Sequence, residues 1–409
     1  MKKGGVTYMV SFMRRNAPSP TVLKLFFFVG LVWAVITGPA SAVLIMTHIE
    51  ATSQQIGVVM AVCAVISMVF QPMWGLLSDK LGSPRKVLCC SLGGSALFFG
   101  GILFASNFYV VAGLLFADIF FRCGVVALLD SHTLAEVKAI PGLQYSHIRL
   151  AGSVFFGGLS LIYSGVINTW NVMMVIPITT AVAVVAIFWG LVVAKGRWET
   201  LDNDSVNVHR AKPNLRRDAA SLIKNKPYLM LIAFVALSAL AVSPMFVFLI
   251  EFVTAAGGHA GHVPLIHALR CAVEIPAFIL VGSLGKKIFA KKLMMGGALF
   301  SLAYLLMLFF ATSLTWVTIA HLASGAPGFI LGLTGRLRYL NETTPESVRS
   351  TSITVMGTFE IGLGAIIGNL VAGFVLGAHG TQALTMVSLS AIILAIMLLV
   401  FMCRKQPNN

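Results

Sequence analysis

Asp118 and Arg122 stand four residues apart in an otherwise apolar stretch, and His267, Arg270 and Glu274 repeat at three- and four-residue spacing in another. On a helix these spacings put each group on one face. His321 and Glu360 are ionisable residues in further apolar runs, while Asp130 closes one run and Arg149 opens the next. Charged or titratable groups in such surroundings hydrogen-bond a polar solute, or hold a proton whose affinity depends on desolvation and neighbouring charge. Each helical acid–base pair also has a plainer reading, in which the two groups only neutralise each other. Glu274 carries the sharper expectation, because Pro276 follows it and interrupts the local backbone hydrogen-bond ladder.

The elements that must hold these groups are membrane helices. The chain has 409 residues, 58% hydrophobic and 11% charged, a composition whose solvent is lipid. About 20 apolar residues cross a bilayer as a helix. The sequence offers twelve such spans: 22–46, 54–77, 86–105, 108–131, 149–167, 171–194, 228–252, 264–285, 293–311, 315–338, 348–377 and 382–402. The net charge of +15 comes from Lys and Arg concentrated in alternate loops, which is topology and not a nucleic-acid-binding surface. The opposite loops contain neither residue, so both termini are expected in the cytoplasm.

The polar stretch 195–227 divides the spans into sets of six. The expected organisation is a cytoplasmic tail (1–21), a six-helix half (22–194), a cytoplasmic linker (195–227), a second half (228–402) and a short cytoplasmic tail (403–409). Basic residues before Val22 with no apolar core or cleavage site read as an uncleaved tail. The six cysteines suggest no disulfide framework, and most are expected to be small buried hydrophobes. Of the large aromatics, most are expected to face lipid or the interface belt, with Trp33 the candidate for a solute cavity.

Between spans 2 and 3 runs Gly75-Leu76-Leu77-Ser78-Asp79-Lys80-Leu81-Gly82-Ser83-Pro84-Arg85-Lys86. A degenerate copy begins at Gly282, offset by 207 residues, with Lys286 in place of Asp79. This order of parts resembles the loop between helices 2 and 3 of the major facilitator superfamily of transporters. The resemblance implies an all-α membrane fold of twelve transmembrane helices in two six-helix halves. It also implies a conformational latch: Gly75 and Gly82 allow close backbone approach, and Asp79 accepts hydrogen bonds from helix ends and pairs with a cytoplasmic basic residue. Arg85 is counted with the latch, with the plainer alternative that it only sets topology. Glu346 and Arg349 are the matching element after span 10.

A closer resemblance follows from Arg149-Leu-Ala-Gly-Ser153 and Glu274-Ile-Pro276. These are similar to the helix 5 opening and helix 8 motif of the lactose permease-like group, which includes nucleoside–proton symporters. By that resemblance Asp130 pairs with Arg149 at the solute site, Glu274 is the helix 8 acid and His321 the helix 10 histidine. Where the lactose permease has an acid three residues beyond that histidine, this sequence has Ser324. The expected site residues are thus Asp130, Arg149 and Glu274 converging on a central cavity, with Asp118, Arg122, Arg270 and His321 as further candidates.

The function these features imply is secondary active transport by alternating access. The foremost form is proton-coupled symport of a small polar solute, such as an oligosaccharide, sugar or nucleoside. A proton-driven efflux antiporter for sugars or drugs shares the same motifs and stays open at this point. The chain has no Gly-x-x-x-x-Gly-Lys-Ser/Thr loop, so ATP is not the expected energy source. No enzymatic activity, cofactor or metal is expected; the proton gradient supplies the energy. The expected partners are the solute, protons and the lipid bilayer, with no nucleic acid. A multi-pass monomer in the plasma membrane (the inner membrane of a bacterium) is the expected setting.

Overall fold

The computed structural model describes residues 20–36, 42–81, 84–140, 143, 145–193, 222, 224–284, 288–344 and 349–404. The first six expected spans fall on α1 (Pro20–Ile36) with α2 (Ala42–His48), α3 (Ser53–Leu81), α4 (Pro84–Gly101), α5 (Phe108–Arg122) with α6 (Val125–Ala139), α7 (Tyr145–Thr169) and α8 (Val175–Phe188). The next six fall on α9 (Lys226–Val247) with α10 (Leu249–Ala255), α11 (His262–Leu284), α12 (Ala290–Phe309), α13 (Leu314–Ala320) with α14 (Ala326–Thr343), and α15 (Arg349–Gly357) with α16 (Ala365–Arg404). α16 holds the end of span 11 and all of span 12. Gly380 turns the chain between them with φ 78°, a conformation glycine adopts without a Cβ clash. Among the described residues nine helices are long and apolar enough to cross a membrane. The fold is an all-α membrane protein.

Short polar connections start the helices where the sequence places a capping side chain. Asn107 accepts from the Tyr109 amide at 2.8 Å, Asn225 from Tyr228 at 3.1 Å and Ser313 from Trp316 at 3.3 Å. Each satisfies an amide that the first turn leaves without an intrahelical acceptor. Three π-helical segments interrupt the regular ladder at Trp189–Val193, His321–Gly325 and Thr358–Gly364. Such bulges shift the side-chain register within a helix and recur at functional sites.

The chain divides into two compact units. Unit 1 takes the described residues within 1–49, 69–209 and 267–275; unit 2 takes those within 50–68, 210–266 and 276–409. In unit 1, α1 packs along α7 and α8, and α4 along α5 and α8. Its core runs through Phe28, Val32, Leu88, Leu92, Leu129 and Ala186. In unit 2, α9 packs along α16 and the third π segment, and α12 along α14 and α16.

The buried aromatics correct one expectation. Trp74, Tyr163, Tyr228 and Tyr304 all lie in the interior and not at the lipid surface. Each has an internal partner for its polar atom, which removes the need for an interfacial position. Trp74 donates to the Phe120 carbonyl at 2.7 Å, Tyr163 meets Thr179 at 2.6 Å and Tyr228 donates to the Ser352 carbonyl at 2.9 Å. Trp316 does lie at the surface. All six cysteines are free, and Cys90 is exposed where a buried position was expected; it and buried Cys89 are consecutive on α4, about 100° apart around the helix.

Candidate functional site

Arg149 lies in the first turn of α7, and its guanidinium carbon sits 3.6 Å from the centroid of the Trp33 ring on α1. The two helices come together here because residue 152 is glycine. A Cβ at that position would fall 2.5 Å from Arg149 Nη1 and 2.8 Å from Trp33 Cγ. The Trp33 indole N–H is buried and has no hydrogen-bond partner among the described residues. The planar cation stacked on the ring is a cation–π pair, with a buried donor at its edge. A buried N–H without an acceptor is costly, which makes it a natural contact for an oxygen of a bound solute.

One turn and more along α7, Gly157 faces α11. A Cβ there would lie 3.2 Å from the Cys271 Cβ and 3.7 Å from the Ala268 carbonyl oxygen. Cys271 is within electrostatic reach of Glu274, Arg270 and Arg149. Arg270 and Glu274 form an ion pair of 2.8 Å with side chains 11% and 13% exposed. His267 stands edge-on to Phe156 at 6.3 Å. Arg149, Arg270 and Glu274 are therefore gathered in unit 1 around one α7–α11 packing position. Asp130, on α6, is partly buried and has an interaction of its own.

Asp118 and Arg122 make a different arrangement. Asp118 is fully buried, and its Oδ2 accepts from Arg122 Nε at 3.1 Å and Nη2 at 3.0 Å. Ser95 of α4 donates to Oδ1 at 2.5 Å. Both carboxylate oxygens are thus engaged inside unit 1, beside a cavity of about 10 Å³ that Thr179 and Thr180 also line. The space suits about one water molecule and is far too small for a sugar or nucleoside.

In unit 2, His321 is fully buried and opens the second π segment. The Tyr304 hydroxyl lies 2.9 Å from its Nε2, and Phe246 stands edge-on at 5.9 Å. Glu360, near the start of the third π segment, pairs with Arg336 of α14. Glu360 stands out in the sequence as an ionisable residue in an apolar run, and Arg336 lies inside the expected span 315–338, which is the signal that it too belongs among the intramembrane charges.

Of the latch residues, Gly75 departs from expectation. A Cβ there would meet no atom within 4 Å, so no close helix approach depends on it in this conformation. Arg85, at the start of α4, is buried, within electrostatic reach of His132 on α6. Glu136, four residues beyond His132, is also buried. Gly82 and Glu346 and the side chains of Asp79 and Arg349 lie outside the described residues.

A family model, the MFS_1-like family, matches residues 22–387. The chain belongs to that family. It is similar to the maltose permease of Geobacillus stearothermophilus, 26% identical over 369 residues that cover 88% of each chain. It is also similar to an uncharacterized transporter, YwbF, of Bacillus subtilis, at 24% identity over 79% of this chain and 78% of that protein. A 148-residue match to the sucrose permease of Escherichia coli, 28% identical, covers 32% of this chain and 35% of that one. Among solved structures, the nucleoside transporter NupG superposes with a TM-score of 0.80 at 13% identity, covering 95% of this chain and all of that one. That likeness establishes the fold. This member of the MFS_1-like family is a multi-pass membrane transporter of small molecules, not an enzyme.

Proposed function

We propose that this transporter is a proton-coupled symporter of a neutral, hydroxyl-bearing solute of the sugar or nucleoside class, working by alternating access. The observation that carries the reading is the stacked Arg149–Trp33 pair with its buried, unpartnered indole N–H. An aromatic face, a guanidinium and a spare N–H form a surface that takes a ring by stacking and its hydroxyls by hydrogen bonds. The similarity to a maltose permease over most of both chains supports the same solute class. Asp130 joins Arg149 in holding the solute. Glu274, tethered by Arg270 and close to Pro276, is the group that takes up and releases the coupled proton. The distribution of Lys and Arg among the loops orients both termini to the cytoplasm. Arg85, with Asp79, Gly82, Glu346 and Arg349, serves the latch that holds one state.

The test is uptake by the purified protein in proteoliposomes with an imposed pH gradient. A panel of maltose, sucrose and uridine reports solute and direction together. Uptake of at least one of them driven by an inward proton gradient is expected. Glu274→Gln is expected to abolish gradient-driven accumulation while solute exchange at equal pH persists. Undiminished proton-driven uptake by that variant removes Glu274 from the coupling step.

A further inference from the structure

Four ion pairs among the described residues lie on these helices, and they are of two kinds. Asp118–Arg122, Arg270–Glu274 and Arg338–Glu342 each join residues four apart on one helix, so they move as rigid parts of that helix. Arg336–Glu360 joins two helices of unit 2, α14 and the π segment that precedes α16. Both partners fall within stretches long and apolar enough to cross a membrane. Their side chains are 15% and 27% exposed. Charged groups within such stretches face protein or water and not hydrocarbon.

The pair is also incompletely satisfied. Arg336 engages Glu360 through Nη1, while its buried Nε has no hydrogen-bond partner among the described residues. The helix packed along this π segment, α9, has no charged residue between Tyr228 and Val247. It does carry Ser238, whose buried hydroxyl likewise has no partner among the described residues. A pair that served structure alone would close its donors and acceptors, as Ser95, Asp118 and Arg122 do in unit 1.

We propose that Arg336 and Glu360 form a polar subsite for the transported solute. Arg336 donates to one hydroxyl oxygen and Glu360 accepts from a neighbouring hydroxyl. The subsite takes a neutral vicinal diol, as found on a sugar or a ribose, since the pair carries no net charge and offers one donor set and one acceptor set side by side. A carboxylate or phosphate solute would be repelled by Glu360, and an amine by Arg336. The inference rests on the transport reading above and names a second place that reads the solute's hydroxyls.

The experiment measures equilibrium binding of maltose, sucrose, uridine and their monodeoxy analogues to the full-length protein in nanodiscs. In the wild type, removal of the hydroxyl held by the pair is expected to weaken binding by about tenfold or more. In Glu360→Gln the parent solute weakens by a similar factor, and deleting that same hydroxyl then has little further effect. The exchanged double variant Arg336→Glu/Glu360→Arg keeps the ion pair and controls for folding. It is expected to remain monodisperse yet lose the hydroxyl preference. Equal weakening of every analogue by Glu360→Gln, or an exchanged variant with wild-type hydroxyl preference, overturns the subsite. Absence of binding by the wild type to every panel solute overturns the transport reading and this inference with it.

Discussion

The Arg149 guanidinium carbon lies 3.6 Å from the centroid of the Trp33 ring, between helices that Gly152 allows to meet. Trp33→Leu is expected to leave the protein folded and to weaken solute binding by about 2- to 30-fold, the range of a cation–π contact of about 0.5–2 kcal/mol. Arg149→Lys should lose as much, because a lysine ammonium neither stacks on the ring as a plane nor donates as a fork. Equilibrium binding and circular dichroism of the two variants check this together.

Asp118 is the centre of a closed buried network, and its removal should act on stability. Asp118→Asn leaves Arg122 without its carboxylate in a site where the aspartate side chain is 1% exposed. The expected loss is about 3 kcal/mol, at the lower end for a broken buried pair because Arg122 is 12% exposed. Thermal unfolding in detergent should show a clear drop in midpoint. Asp118→Leu with Arg122→Met should recover much of it, since replacing both partners removes the uncompensated charge. Wild-type stability in Asp118→Asn would show that the network contributes little.

His321 and Tyr304 present a structural pair in unit 2, with the hydroxyl 2.9 Å from Nε2 and both residues buried. Tyr304→Phe should cost about 1–3 kcal/mol of stability by leaving an imidazole nitrogen unsatisfied. Gradient-driven uptake per folded molecule should change little. The reverse pattern, normal melting with lost coupling, would move His321 from structural to coupling residue.

Asp79 tests the latch. Asp79→Asn is expected to slow turnover by about tenfold, the effect of losing one charge-assisted hydrogen bond from a single conformational state. Solute affinity measured at equilibrium should stay close to wild type. Lost affinity at an unchanged rate would contradict the latch.

Much of the fold is legible because lipid imposes a simple rule: every backbone polar group must bond within its own helix. Helix positions therefore follow hydropathy, and the turn at Gly380 falls within the expected loop 378–381. Asn107 and Ser313 mark helix starts by the same local logic. The pairing of Asp118 with Arg122 was readable for a related reason, since i, i+4 neighbours meet on any helix. The burial of Trp74 and Tyr304 is not legible in the sequence, because burial of an amphipathic ring depends on a partner far away in sequence. The Phe120 carbonyl that receives Trp74 lies 46 residues on, and no local pattern announces it.

By itself the sequence determined the solvent, the apolar spans, the family loop and the charges within one helix, because each depends on composition or on spacing of a few residues. Only the tertiary structure decided which charges remain available for chemistry. It closed Asp118 against Ser95 and Arg122, laid Arg149 on Trp33, and brought Arg336 across to Glu360. These pairings are set by how helices cross, and a helix crossing depends on packing between residues far apart in the chain.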